Sequence, residues 1–310
     1  MMLYFLQYLS DLFASYSYVV ANKFYKINFY STTEIFAYCN IYVLVIMLFL
    51  SPFLKRKYNF NLLNIKEYIK NKKIIYATFL SVSSSYLKTV LLSNIFKISQ
   101  LELKSYAILS PFITIILCHL FLKGQKINKY IMLSFTTCLF GFAIFNFHFL
   151  YTFSIVMIFY TFLNGYSDYK LKEISKSRGF EMMFFDNLMF FLISIIVFVI
   201  AIFNQHFTST TFGIQQFDIN KVLNITNAFP LFAVAFLSFM AHNLKMISFK
   251  AKHIAGIIII GIFGKTLNSI IMTYVQYNTL PTLNQVLGLL LMCIGLTIFT
   301  YKNYVIRKTI

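Results

Sequence analysis

Residues Ile254–Val275 read IAGIIIIGIFGKTLNSIIMTYV, an apolar run with Lys265 near its middle. A run of this length can cross a hydrocarbon layer of about 30 Å as a helix. A lysine at the centre of such a helix costs roughly 2.5–3.5 kcal/mol on insertion scales. Folded membrane proteins keep that charge where it faces a cavity, a partner or a ligand, so Lys265 is both the marker of the fold and the first candidate functional residue.

The rest of the chain repeats the pattern. Of 310 residues 59% are hydrophobic, and the mean hydropathy is +0.73. A soluble domain carries about 45–50% apolar residues. Apolar runs separated by polar or basic breaks predict ten spans, at about 3–21, 34–54, 74–96, 102–122, 128–147, 152–169, 183–203, 226–248, 254–275 and 283–301. The first run lacks a basic leader and a small-residue cleavage site, so it is expected to be a span and not a cleaved signal. The net charge of +18 does not point to nucleic acid, because the basic residues lie in the breaks and form no single stripe. The expected partner surface is the lipid bilayer.

The breaks also predict orientation. Of the 27 Lys and Arg, 19 fall in alternate breaks and the tail, from Lys55-Arg56-Lys57 to Arg307-Lys308, and 5 fall on the opposite side. The alternation is kept without a missing span, which puts both termini in the cytosol. The sequence also repeats weakly. Glu34-Ile-Phe-Ala-Tyr-Cys-Asn40 returns as Glu181-Met-Met-Phe-Phe-Asp-Asn187, Leu87-Lys88 as Leu244-Lys245, and Gly141 as Gly295. Five spans per copy is an odd number, so the second copy enters the membrane inverted. The expected fold is an all-α membrane protein of ten transmembrane helices in two inverted five-helix repeats, residues 1–148 and 149–310. Inverted repeats are typical of secondary transporters, whose site lies near the midplane between the halves.

Three lysines fall within spans: Lys265, Lys88 and Lys245. Snorkelling to the interface competes with a ligand role for each, most for Lys245 and least for Lys265. Asp11 is the only carboxylate clearly inside a span, so a bound anion is expected to supply the missing negative charge. Asp168 and Asp186, flanking a basic loop, read as solvated. Around Lys265, the i, i+3, i+4 spacing places Asn268 and Ser269 on its face, and Gly261 and Gly264 allow close approach of backbone or ligand. His242 and Asn243, with Phe185-Asp186-Asn187, add further polar groups, which in a helix bundle also serve as interhelical glue. The four cysteines show no metal spacing and read as packing residues. No hydrolase motif, acidic pair or phosphate-binding loop is present, so no enzyme activity, metal or cofactor is expected.

The layout resembles the drug/metabolite transporter superfamily (EamA-like), and within it the nucleotide-sugar and triose-phosphate translocator branch. Leu109-Ser110-Pro111-Phe112 through Leu122-Lys123 is similar to the family's fourth helix. Phe184-Phe185-Asp186-Asn187-Leu188 is similar to the aromatic-Asn-Asn motif of GDP-sugar carriers, with Asp186 in place of the first Asn. Gly264-Lys265-Thr266-Leu267-Asn268 resembles the helix-nine signature, with Thr266 where phosphate translocators carry Arg. His242-Asn243 stands where they carry Tyr-Asn, and Ala107 where they carry a helix-four lysine. The resemblance implies that Lys265 holds phosphate, that Lys88 and Lys245 assist, and that Asn187, Asn243 and Asn268 orient base or sugar.

The expectation is therefore an alternating-access carrier, working by exchange, for an anionic phosphorylated metabolite such as a nucleotide sugar. One alternative is an EamA-type transporter of amino acids or other small metabolites. Another is a membrane scaffold or receptor that transports nothing. Arg307-Lys308-Thr309-Ile310 resembles a dibasic retrieval signal, which places a eukaryotic protein in the ER or Golgi membrane and a bacterial one in the inner or plasma membrane. Self-association as a homodimer stays open.

Overall fold

The computed structural model describes residues 2–25, 32–58, 69–92, 110–122, 128–145, 155–175, 179–211, 214, 218–250, 254–277 and 280–308. Every regular element among them is an α-helix. In chain order these are α1 (Met2–Tyr25), α2 (Thr32–Tyr58), α3 (Lys72–Leu92), α4 (Ser110–Phe121), α5 (Lys129–Phe145), α6 (Ile155–Ser175) and α7 (Gly179–Phe203). Two short helices follow, α8 (Gln205–Thr211) and α9 (Ile219–Leu223), and then α10 (Ile225–Ser248), α11 (Ile254–Tyr277) and α12 (Leu283–Lys308). Each of the ten apolar runs overlaps one of these helices; of the run 102–122 the described part is α4, and residues 102–109 lie outside the described residues. Ala107 and Gly124-Gln125-Lys126 lie outside the described residues, as does the side chain of Ser269.

Helices α2, α7 and α10 hold stretches long and apolar enough to cross a membrane, Thr33–Pro52, Phe185–Phe203 and Ile225–Ser248. Shorter apolar stretches lie on α5, α11 and α12. The outward faces match: Phe49, Ile155, Phe203, Ile225 and Phe229 are each at least 77% exposed. Water penalises so much uncovered apolar surface, whereas lipid does not. These helices suggest a membrane-embedded protein.

The packing follows a rule of exchange. Helix α1 packs on α10 and α11, and α6 packs in the same way on α3 and α4. Helix α2 packs on α10 as α7 does on α3, while α2 meets α7 and α5 meets α12. Exchanging α1–α5 for α6, α7, α10, α11 and α12 maps these contacts onto themselves.

The α5–α12 crossing brings the two backbones together. A Cβ on Gly141 would stand 2.5 Å from the Gly288 carbonyl oxygen, and one on Gly288 would stand 2.4 Å from that of Gly141. Gly295 faces Cys138 and Ser134, whose hydroxyl donates to the Gly295 carbonyl at 2.6 Å. Backbones this close have no room for a methyl group, so glycine is required there. Gly141 and Gly295, paired in sequence as repeat partners, thus occupy corresponding places in one contact.

Two apolar clusters hold the bundle. One gathers the start of α3, the end of α6, the end of α10 and the start of α11, with Ile74, Leu171, Met246 and Ile259 fully or nearly buried. The other gathers the first half of α2, the middle of α7 and the start of α10, around Tyr38, Val82, Val197 and Leu231. Cys39, Cys118 and Cys138 are buried as packing residues, but Cys293 is exposed on α12, so the packing reading does not hold for it. It occupies an outward position, where its small apolar side chain needs no partner.

Candidate functional site

Between the two apolar clusters lies a cavity of about 310 Å³. Seven helices supply its wall: α1, α2, α3, α6, α7, α10 and α11. Its volume is at the lower end of the roughly 300–1,000 Å³ typical of small-molecule sites. Polar and charged side chains line it together, with Gln7, Asp11, Asn40, Ser84, Lys88, Asn164, Asp168, Asn187, His242, Lys245 and Lys265 among them.

Lys265 points into this space from the middle of α11. It makes no hydrogen bond or ion pair with any described residue. The nearest structured charge is Asp11, on the neighbouring turn of α1. A Cβ on Gly261 would stand 3.4 Å from Asp11 Oδ2, and one on Gly264 3.7 Å, so this carboxylate rests against the turn of α11 that precedes Lys265. Among charged groups, each is the other's strongest electrostatic neighbour. Gln7 fixes the carboxylate by donating Nε2 to Oδ2 at 3.1 Å. Gln7 is held in turn, because Ser248 at the end of α10 donates to its Oε1 at 2.8 Å. Ser10 ties α1 to α10 through the Ala241 carbonyl at 2.6 Å.

Lys245 behaves differently. Its Nζ donates to Asp168 Oδ1 at 2.7 Å, joining α10 to α6. Asp168 is therefore no solvated loop charge, as the sequence had suggested. It sits about two turns inside the end of α6, lines the cavity, and its side chain is only 14% exposed. Asp186 corrects the same expectation more strongly. Its side chain is fully buried, and Oδ2 lies 2.6 Å from His242 Nε2, an ion pair when the imidazole is protonated. Ser81 on α3 donates to the same oxygen at 3.2 Å. The physical reason is shared: both carboxylates sit inside helices that extend past the apolar runs, and each finds a partner on a neighbouring helix.

The predicted site residues divide. Lys265, Lys88, Lys245, His242 and Asn187 meet in the cavity wall, and Asp186 backs His242 without lining it. Asn268 is fully buried and does not line the cavity, and neither its Oδ1 nor its Nδ2 has a hydrogen-bond partner among the described residues. Helical spacing placed it on the correct azimuth, but it lies one turn beyond Lys265, past the end of the open space. Gly264 packs against the Tyr8 ring instead, and Gly261 takes the lining position. Phe185 belongs to the apolar core. Asn243 is half-buried, outside the lining, with Oδ1 unpartnered. Successive helical residues point about 100° apart, so Phe185 and Asn243 turn away where Asn187 and His242 turn in.

Residues that the sequence did not single out complete the wall. Asn164 Nδ2 donates to Ser110 Oγ at 2.7 Å and its Oδ1 accepts from Ser84 at 3.2 Å, so α6 bridges α4 and α3. Asn40 donates to Ser194 at 2.8 Å between α2 and α7. Asp11 carried the most accessible signal, since the insertion cost that marks Lys265 applies equally to a carboxylate in the first span.

No family model and no curated protein matches this chain. Its fold is similar to that of a solved structure described only as "Crystal structure of protein", with a TM-score of 0.64 over 97% of this chain and 96% of that one. The identity is 11%, so the likeness speaks for the fold alone.

Proposed function

We propose that the protein is a secondary carrier that moves a small solute bearing a negatively charged group through this cavity by alternating access. One observation carries the reading: Lys265 stands in the wall of a polar cavity, mid-helix and without an ion-pair partner among the described residues. An ammonium so placed attracts carboxylate or phosphate strongly, because little water competes with the ligand. The exchange symmetry of the helix contacts supports two related halves, residues 1–148 and 149–310; in this reading each spans the membrane five times, and the alternation of Lys and Arg between breaks supports both termini in the cytosol. A cavity between such halves is where a carrier holds its substrate.

A second reading of the substrate has its own support. The wall carries Asp11 and Asp168 as well as three lysines, so a zwitterion such as an amino acid finds a partner for each charge. The modest volume favours such small solutes over the nucleotide sugar that the sequence resemblance implies. The drug/metabolite transporter resemblance fits either cargo, and the ER, Golgi or plasma membrane follows from the source.

Counterflow into proteoliposomes tests the reading. A labelled panel of inorganic phosphate, 3-phosphoglycerate, UMP, a nucleotide sugar and L-glutamate is expected to include at least one accumulated solute. The same solute raises the thermal unfolding midpoint of the purified protein, as a ligand of the folded state must. A panel that neither accumulates nor stabilises would leave a scaffold or receptor as the better account.

A further inference from the structure

The buried carboxylates differ in the kind of cation they meet. Asp168 is bound by the Lys245 ammonium at 2.7 Å, Glu34 by that of Lys221 at 3.1 Å, and Asp11 rests beside Lys265. Lysine ordinarily stays charged throughout the neutral range. Asp186 meets a histidine instead, with His242 Nε2 2.6 Å from its Oδ2. Histidine is the side chain whose ordinary change of charge falls between about pH 5 and 8. Asp186 is fully buried, Ser81 donates to the same Oδ2 from α3 at 3.2 Å, and Oδ1 has no hydrogen-bond partner among the described residues. The imidazole itself lines the cavity, edge-on to the Phe190 ring at 6.2 Å. The buried carboxylate thus communicates with the cavity through His242.

Two protonation states keep this contact. With a neutral imidazole, Nε2–H donates to the carboxylate and the pair holds one negative charge. A further proton on Nδ1 makes it an imidazolium and a carboxylate, with no net charge. The ionisable groups that share the lining are Asp11 of α1, Lys88 of α3, Tyr160 and Asp168 of α6, Lys245 of α10 and Lys265 of α11. Among the described residues α2, α7, α8 and α9 add none to it. Lys245, one turn along from His242, also acts on Asp186, but its ammonium is bound to Asp168. Behind the wall, Tyr86 of α3 shares its hydroxyl with Ser194, and Lys172 of α6 gives its ammonium to the Phe249 carbonyl. Whatever charge the empty wall carries, a proton on His242 makes it more positive and an anionic solute makes it more negative. Each binding therefore favours the other, by the same factor. We propose that the His242–Asp186 pair is a proton-binding site, and that the carrier takes up a proton with each anionic solute and releases both on the far side; this rests on the carrier reading above. The proton passes from water on one side to the imidazole, and from the imidazole to water on the other.

Sealed proteoliposomes test this with the labelled panel of inorganic phosphate, 3-phosphoglycerate, UMP, a nucleotide sugar and L-glutamate. An outside at about pH 6 against an inside at about pH 7.5 spans the histidine range. Wild-type uptake of the solute that shows counterflow is expected to rise at least about fivefold over uptake with both sides at about pH 7.5, and a protonophore removes the rise. His242→Gln, and separately Asp186→Asn, are expected to lose the response to the gradient, whatever uptake remains. Asp186→Glu keeps the acid and is expected to keep the response, which separates proton binding from damage to the fold. A solute that brings its own proton would give wild type and His242→Gln the same rise, and that equality would overturn the proposal. Wild-type counterflow with no response to the gradient would overturn it too, and needs no variant to fold. That second result leaves the carrier reading standing, while the absence of counterflow removes both.

Discussion

The two ends of the cavity are tied by ion pairs of different reach. At one end Lys221 of α9 donates to Glu34 in the first turn of α2 at 3.1 Å, with the Glu34 side chain fully buried. Tyr38, one turn further along α2, reinforces the contact. Its hydroxyl donates to the Asp218 carbonyl at 3.2 Å and accepts from the Asp218 N–H at 2.9 Å. Asp218 is itself the N-cap of α9, accepting from the Asn220 N–H at 2.9 Å. At the other end Lys245, in the last turns of α10, meets Asp168 of α6. Helix α10 starts at Ile225, just after α9, and Lys245 lies about 30 Å further along its axis. The first clasp joins residues of the two proposed halves, whereas the second lies wholly within residues 149–310. By packing, however, α2 and α9 both belong with α1, α10 and α11, whereas Asp168 lies on α6, which packs with α3 and α4. A motion between these two packed groups must therefore break the Lys245 end and can leave the Glu34 end intact.

Substitutions can break this comparison. The largest effect is expected from Glu34→Lys, which sets two like charges face to face where one partner is fully buried. Loss of a buried pair costs about 3–5 kcal/mol, read as a fall in the thermal unfolding midpoint. Adding Lys221→Glu restores opposite signs and is expected to recover most of that fall. Asp168→Asn acts on a pair that keeps contact with the cavity, with Lys245 30% exposed, so screening reduces the expected loss to about 1 kcal/mol. Equal losses at the two ends would erase the contrast. Tyr38→Phe is the mildest, at about 0.5–1 kcal/mol for one partly buried hydrogen-bonding group.

How far the sequence revealed this arrangement depends on what each signal measures. Apolar run length located every long helix, because hydropathy records the faces turned outward and inward alike. The cost of a buried charge brought out Lys265, Lys88 and Lys245 for the same reason. Periodicity failed at Asn268, since it reports the side of a helix and not how deep a cavity extends along it. Motif adjacency failed at Phe185 and Asn243, because neighbours on a helix diverge. Asp168 and Asp186 were misjudged because the helices run past their apolar stretches, so residues at the edge of a span, expected to be solvated, are held inside the bundle. Recognising them lowers the positive charge of the site. Glu34 appeared only as part of a repeat; nothing local shows that Lys221, far away in sequence, would reach it.

The central claim is that the solute meets Lys265. Its most direct test is uptake of the accumulated solute by Lys265→Ala proteoliposomes, with the purified variant shown to unfold as cooperatively as wild type. Loss of one charge-assisted contact in a dry cavity predicts uptake at least about tenfold lower than wild type at limiting solute. Equal uptake by the variant and wild type across the whole panel would contradict it.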